Sequence, residues 1–197
     1  MPGQPLFEEK RFPRFDDRRS AGRMLAKALA RYARGPGAIV LGLPRGGVVT
    51  ADEVAHELGL PLDVLVVGKL RAPGREELTL GAIGPGGVRS IHHAAIAALR
   101  IAPWQIAALA EQETKELERR ERLYRGSSAP LDLAGQTVIL VDDGVATGST
   151  MQAALEVVRG ARAAQVVVAV PVGPADTCAE LRRNADDLVS LATPVTV

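Results

Sequence analysis

Residues 137–150 read TVILVDDGVATGST. Five mostly β-branched apolar residues, Thr137 to Val141, run straight into two adjacent carboxylates, Asp142 and Asp143. A short loop of small and hydroxyl residues follows, and MQAALEVV (151–158) then carries helical spacing. A strand that feeds a helix through a tight loop is the repeating unit of a parallel sheet. Outward from this stretch the unit recurs: strand 137–141, helix 149–159, strand 165–170, helix 175–184, strand 187–191. AIVLGL (38–43) is a continuous apolar run suited to a strand buried on both faces. PRGG breaks it, and VVTADEVAHELG (48–59) reads as a helix with Ala51, Val54, Ala55 and Leu58 inward and Gly59 as its terminator. His56 falls on the polar side of that helix, a solvated position. PLDVLVVGK (61–69) reads as a second buried strand. The fold class is α/β, a mainly parallel sheet flanked by helices.

The remaining segments decorate this core. Asp16 or Asp17 is a good N-cap for a first helix running to Gly35, with Leu25, Ala28, Leu29 and Tyr32 as its apolar stripe. After an APGREE turn (72–77), LTLGAI and GVRSI flank GPGG (84–87) as an antiparallel hairpin. Residues 92–126 read as helical, with Pro103 suited to a first turn. The second half of that segment carries Glu116–Arg120, Glu118–Arg122 and Glu121–Arg125 at i,i+4 spacing, the pattern of a solvated helix face.

At 197 residues the chain fits one domain with a small appended subdomain. Its 24 basic and 23 acidic residues nearly cancel, which argues against a general nucleic-acid coat and permits a local anion site. A lone cysteine, Cys178, excludes an internal disulfide framework and reads as a buried helical residue. No apolar run approaches the ~20 residues of a membrane span. MPGQPLFEEKRFPRF (1–15) lacks the apolar centre of a secretory signal and any helix-turn-helix pattern. The expected location is cytoplasmic.

Two loops at strand ends suit anions. In DDGVATGST (142–150) small residues let backbone N–H groups converge, Thr147, Ser149 and Thr150 add hydroxyls, and the following helix presents its positive end. Hydrogen bonds to a charged group are worth roughly 1.5–3 kcal/mol each, against typically 0.3–1 kcal/mol for the helix end, so the donor array dominates. In LPRGG (43–47), Gly46 and Gly47 allow close approach and Arg45 offers planar, multi-donor contact. Neither loop fits GxxxxGK[ST] or GxGxxG. Asp142 and Asp143 would repel a bare phosphate. They suit a ligand that also carries vicinal hydroxyls or bound Mg²⁺.

VILVDDGVATGST (138–150) resembles the signature of type I phosphoribosyltransferases: an apolar strand, two acids, two variable residues, a small residue, then Thr-Gly-x-Thr. LPRGG resembles the family's pyrophosphate loop. LPRGGVV (43–49), GKLRAPG (68–74) and VDDGVATGSTM (141–151) are similar to a bacterial subgroup whose acceptor is not established. The resemblance implies a Rossmann-like core over 38–91 and 127–197 that binds phosphoribosyl pyrophosphate (PRPP). The N-terminal helix region, 1–37, and the helical insertion, 92–126, would form a hood. The implied reaction transfers ribose 5-phosphate from PRPP to a small nitrogenous base, through an oxocarbenium-like transition state, with release of pyrophosphate. By position, Asp142 and Asp143 would hold the ribose hydroxyls and Mg²⁺ through water. Ala146, Thr147, Gly148, Ser149 and Thr150 would wrap the 5-phosphate, and Arg45, Gly46 and Gly47 would bind pyrophosphate. Pro44–Arg45 is the candidate for a cis peptide. Lys69 and Arg71 would begin a mobile loop that closes over the leaving group.

Departures from the family pattern narrow this. Relatives acting on 6-oxopurines usually carry an acid at the Ala146 position, so alanine counts against that class and resembles adenine-type enzymes. Glu76 and Glu77 are base-side candidates on the presumed mobile loop, with a solvated role as the bland alternative. His92 and His93 read as surface histidines. The chain stops at SLATPVTV, earlier than many relatives, which implies a shortened hood. A PRPP-sensing regulator that contacts nucleic acid through the arginine-rich 116–125 segment is the alternative function. A phospho-acceptor receiver leaves both anion loops without a role. Acceptor and oligomeric state, including a homo-oligomer, stay open.

Overall fold

A computed structural model describes residues 13–194. The readings made for residues 1–12 and 195–197, including the absent leader and the early stop, lie outside the described residues. Five strands form one sheet in the order β2-β1-β6-β7-β8: β1 (Ala38–Gly42), β2 (Leu62–Val64), β6 (Thr137–Val141), β7 (Gln165–Val172) and β8 (Asp187–Ala192). Every neighbouring pair is parallel. Central β6 shows why the run is apolar throughout. Val138 and Leu140 enter one apolar cluster, Ile139 and Val141 the other, and all four are fully buried. Side chains alternate along a strand, so covering both faces demands apolar residues at every position. Each such burial is worth roughly 1.5–3 kcal/mol.

Helices α1 (Arg18–Ala28) and α2 (Gly46–Leu58) cover one face through Leu25, Leu29, Val54 and Leu58. Helices α5 (Ser149–Gly160) and α6 (Ala175–Asn184) cover the other through Met151, Leu155, Cys178 and Leu181. The first helix is shorter than expected, and Ala28 is exposed. Its buried stripe is Ala21, Gly22, Leu25, Ala26 and Leu29. At 100° per residue these positions share one face and Ala28 falls off it. Although 1–37 was expected in a hood, α1 packs within this layer, against α2, β7 and β8.

The 61–69 segment also departs from expectation. Only Leu62–Val64 joins the parallel sheet, at its edge, and Leu62 is 37% exposed. The chain then leaves to form a second sheet, β3 (Gly68–Ala72), β4 (Arg75–Ile83) and β5 (Arg89–Ile91), in antiparallel order. The β4–β5 hairpin is as read from the sequence. The presumed mobile loop 70–77 is instead the β3–β4 hairpin. The helical insertion is two helices, α3 (His93–Ala98) and α4 (Pro103–Arg125), separated by Arg100 at φ +52° with Pro103 opening the second. Leu70, Leu80, Ile83 and Ala110 make a separate cluster joining this sheet to α3 and α4.

Helix α4 is not simply a solvated face. Glu116 pairs with Arg119 rather than Arg120, at 2.8 Å, and Arg120 donates to the Val67 carbonyl. Arg125 turns inward to Asp63 on β2 through two hydrogen bonds of 2.8 and 2.9 Å, with its side chain 8% exposed. Its contact with Glu121 is longer, 3.7 Å. No described helix is long and apolar enough to cross a membrane.

Candidate active site

Strands β1 and β6 are neighbours, and Gly42 lies in register with Val141. Their carboxyl ends therefore bring the 43–47 and 142–150 loops together, where ligands of open α/β sheets sit. The Leu43 N–H donates to the Val141 carbonyl, 2.9 Å, extending the pairing into the loops. The Pro44–Arg45 peptide is cis. Gly46 and Gly47 then start α2, so the loop's glycines form the helix's first turn rather than preceding it. A Cβ on Gly47 would lie 2.7 Å from both the Cα and Oδ1 of Asp142, and one on Gly46 would overlap the Asp143 carboxylate. Only glycine permits this approach.

The 143–149 turn is held from behind. Val145 N–H donates to the Val172 carbonyl at 3.0 Å. The Thr177 hydroxyl, on α6, donates to the Ala146 carbonyl at 2.9 Å. Gly148 is the N-cap of α5 with φ +74°, and a Cβ there would meet the Thr177 methyl at 2.8 Å. Both its conformation and its contact exclude a side chain. A cavity of about 160 Å³ is lined by Asp142 and residues 144–151. Thr147, Ser149 and Thr150 are placed around the turn, with Ala146 exposed beside them.

Asp142 is half-buried, and its Oδ1 accepts from the Asp143 N–H at 2.9 Å. Burial pushes its carboxyl from 3.8 up to about 7; the Asp143 N–H opposes that shift and the neighbouring Asp143 carboxylate adds to it. Asp143 accepts a 2.6 Å hydrogen bond from Nε of Arg18, the first residue of α1. Lys69 reaches across from β3: its ammonium donates to Ser149 Oγ (3.1 Å) and Thr150 Oγ1 (3.2 Å). It therefore touches the hydroxyls of the expected 5-phosphate turn, not the 43–47 loop expected for the leaving group. Burial, then Arg71 and Arg120, lowers the Lys69 pKa, while Glu113 opposes the shift. Burial raises the Glu113 carboxyl.

Other expected residues are less engaged. Arg45 is exposed at the mouth of its loop. Arg71 donates to the Glu76 carbonyl within its own hairpin. Glu76 and Glu77 are exposed on β4, and neither side chain bonds a site residue among the described residues. His93 is exposed, as the sequence suggests, but His92 is half-buried and is not a plain surface histidine. The Nδ1 of His92 lies 3.1 Å from the Thr79 carbonyl and its Nε2 3.0 Å from Glu156 on α5, tying the hairpin sheet to that helix. Arg18, Thr177, Glu113 and Arg120 were missed by the sequence reading. Arg18 lies 125 residues from Asp143, outside any local motif. Thr177, shortly after Pro174, sits near the expected start of a helix facing the turn, and that placement was the available signal.

A family model described as the phosphoribosyl transferase domain matches residues 18–195. The chain belongs to this phosphoribosyl transferase domain family. A protein of Mycobacterium tuberculosis strain H37Rv, provisionally named a phosphoribosyl transferase, is 46% identical over 180 residues, 91% of this chain and 40% of that protein. The chain thus spans two fifths of the length of the curated relatives it matches. The crystal structure of a Thermus thermophilus protein is 44% identical and superposes with a TM-score of 0.82 over 92% of this chain and 86% of that one. A purine phosphoribosyltransferase from Pyrococcus horikoshii, at 20% identity and TM-score 0.50 over 94% and 88% of the two chains, shares the fold.

Proposed function

We propose that this phosphoribosyl transferase domain transfers ribose 5-phosphate from PRPP to a nitrogenous base and releases pyrophosphate. The observation that carries the reading is the meeting of two anion-suited turns on one acidic pair, with Gly47 packed against Asp142. PRPP has the matching parts: a phosphate at one end, vicinal hydroxyls between, and a diphosphate at the other. The 146–150 turn takes the 5-phosphate through backbone N–H groups and the hydroxyls of Thr147, Ser149 and Thr150. Lys69, in contact with two of those hydroxyls, adds charge on the same side. The acids accept from the ribose hydroxyls, and Arg45, Gly46 and Gly47 take the diphosphate.

The donor set suits Mg²⁺. Asp142 is a carboxyl whose proton is held by burial, so a divalent ion compensates it well. Among the described residues no group of three or more metal-ligating side chains gathers. Most of the ion's shell would therefore be water and ligand oxygen, the usual habit of magnesium. Bound there, it would neutralise charge growing on the leaving diphosphate.

In the reaction the ribose C1–O bond to diphosphate breaks, and a bond from C1 to the acceptor nitrogen forms. Positive charge develops on the ring and negative charge on the leaving oxygen. Arg45 and the loop N–H groups stabilise the latter, and Asp142 and Asp143 hold the ring by its hydroxyls. The proton lost by the acceptor passes to solvent or to the departing diphosphate. Ala146 supplies no acid for a purine base, which counts against 6-oxopurine acceptors. The inward turn of Arg120 and Arg125 and the pairing of Arg119 diminish the basic face that a nucleic-acid-binding regulator would use. The test is a panel of purines, pyrimidines and other nitrogen nucleophiles with PRPP and Mg²⁺, read as pyrophosphate release. Turnover with at least one acceptor supports the reading; PRPP binding without turnover of any acceptor favours the regulator.

A further inference from the structure

Arg18 is 59% exposed at its side chain, opens a helix, and belongs to no motif. Its Nε nevertheless lies 2.6 Å from Asp143 Oδ2 and 2.9 Å from the position a Cβ would take on Gly46. It therefore sits at the junction of the acidic pair and the 43–47 loop. We propose that Arg18 is a binding and positioning residue for the diphosphate group, bridging Asp143 and the pyrophosphate loop. This rests on the PRPP reading above.

Three observations carry it. First, a guanidinium has five N–H donors in a fixed fork. Only Nε is engaged by Asp143, and among the described residues the terminal nitrogens make no hydrogen bond. The unspent donors suit a planar, two-point contact with phosphate oxygens. Second, α1 is fixed in place. Asp17 and Ser20 form a capping box at its start. Arg19 and Arg23 both pair with Glu53 on α2. Gly22 lies so close to α2 that a Cβ would come 2.6 Å from the Thr50 carbonyl. The helix end that bears Arg18 is thus delivered to the site by packing. Third, a helix N-terminus disfavours cations, and α1 has no acid in its first turn. Arg19 is balanced by Glu53. The partner of Arg18 is a site carboxylate, and an ion pair this exposed stabilises a fold little.

The test uses the full chain and calorimetry with two separate probes, inorganic pyrophosphate with Mg²⁺ and ribose 5-phosphate. Arg18→Ala should weaken pyrophosphate binding roughly ten- to hundredfold, the value of one or two charge-assisted hydrogen bonds. Ribose 5-phosphate affinity should stay within about twofold and Tm within about 2 °C. Arg18→Lys, a point charge without the fork, should restore only part of the loss. Unchanged pyrophosphate affinity in Arg18→Ala overturns the proposal while leaving the PRPP reading intact. Equal loss for both probes with a fallen Tm also overturns it, because Arg18 is then only a brace. A wild-type chain that binds neither probe removes the PRPP reading, and this proposal with it.

Discussion

The turn after β6 and the loop after β1 face each other across the same acidic pair, yet they are built differently. The first is nearly all local. Its strand, acids, glycine and hydroxyls occupy residues 137–150, and Thr177 and Lys69 come to it from elsewhere. The second is short of its own groups. LPRGG supplies one arginine and two glycines, and its floor is the Asp142–Asp143 pair of the other loop. A guanidinium from α1 stands over it. One turn is written in the chain as a word; the other is assembled by the sheet. They should therefore respond differently to substitution.

The acidic pair lies against both, so on the proposed function its loss should have the largest effect. The double substitution Asp142→Asn, Asp143→Asn should lower pyrophosphate release by at least ~100-fold while circular dichroism shows a folded chain. An active double variant would remove the acids from the mechanism. The local turn should be the less forgiving of the two structurally. Gly148→Ala forces a side chain onto φ +74° and against Thr177, so it should cost roughly 1–3 kcal/mol of stability and weaken ribose 5-phosphate more than pyrophosphate. Comparable loss for both probes would mean that the two turns behave as one unit.

Lys69→Met sharpens the comparison further. Because its ammonium lies on Ser149 and Thr150, its loss should weaken ribose 5-phosphate binding about tenfold and pyrophosphate less. The reverse order would return Lys69 to the leaving group, the role its place in the sequence suggests.

The Asp142 carboxyl gives a smaller, pH-dependent effect. Its folded value of about 7 stands above the unfolded 3.8, so between these values the folded chain holds more protons than the unfolded one. Stability from this group is then full below pH ~4 and falls as pH rises towards 7. In magnesium-free buffer Asp142→Asn should raise Tm at pH 8 and leave it nearly unchanged at pH 4. A lowered Tm at pH 8 would show that the ionised carboxylate stabilises the fold. The smallest effect is expected at Glu76→Gln and Glu77→Gln, exposed on β4, where turnover should stay within about twofold.

The same contrast explains what the sequence disclosed. β6, the acids and the hydroxyl turn were legible because strand periodicity, charge and turn chemistry act over a few residues. The cis Pro44–Arg45 peptide followed from family likeness and was found. Ala28 was misplaced because a stripe read at i and i+3 does not say which way a helix rolls on its neighbour. The 61–69 run was misread because Leu65, Val66 and Val67 are buried without joining a strand; apolar content reports burial, not pairing. Arg18 could not be seen at all, because its partner lies 125 residues away and only the docking of α1 on α2 brings them together.

The central claim is that one ligand, PRPP, spans both turns through the acids and magnesium. Calorimetry of PRPP against the wild-type chain, with and without Mg²⁺, and against the double asparagine variant tests it most directly. Binding that needs magnesium and disappears in the variant is the predicted result. No binding, or equal affinity in all three titrations, would contradict it.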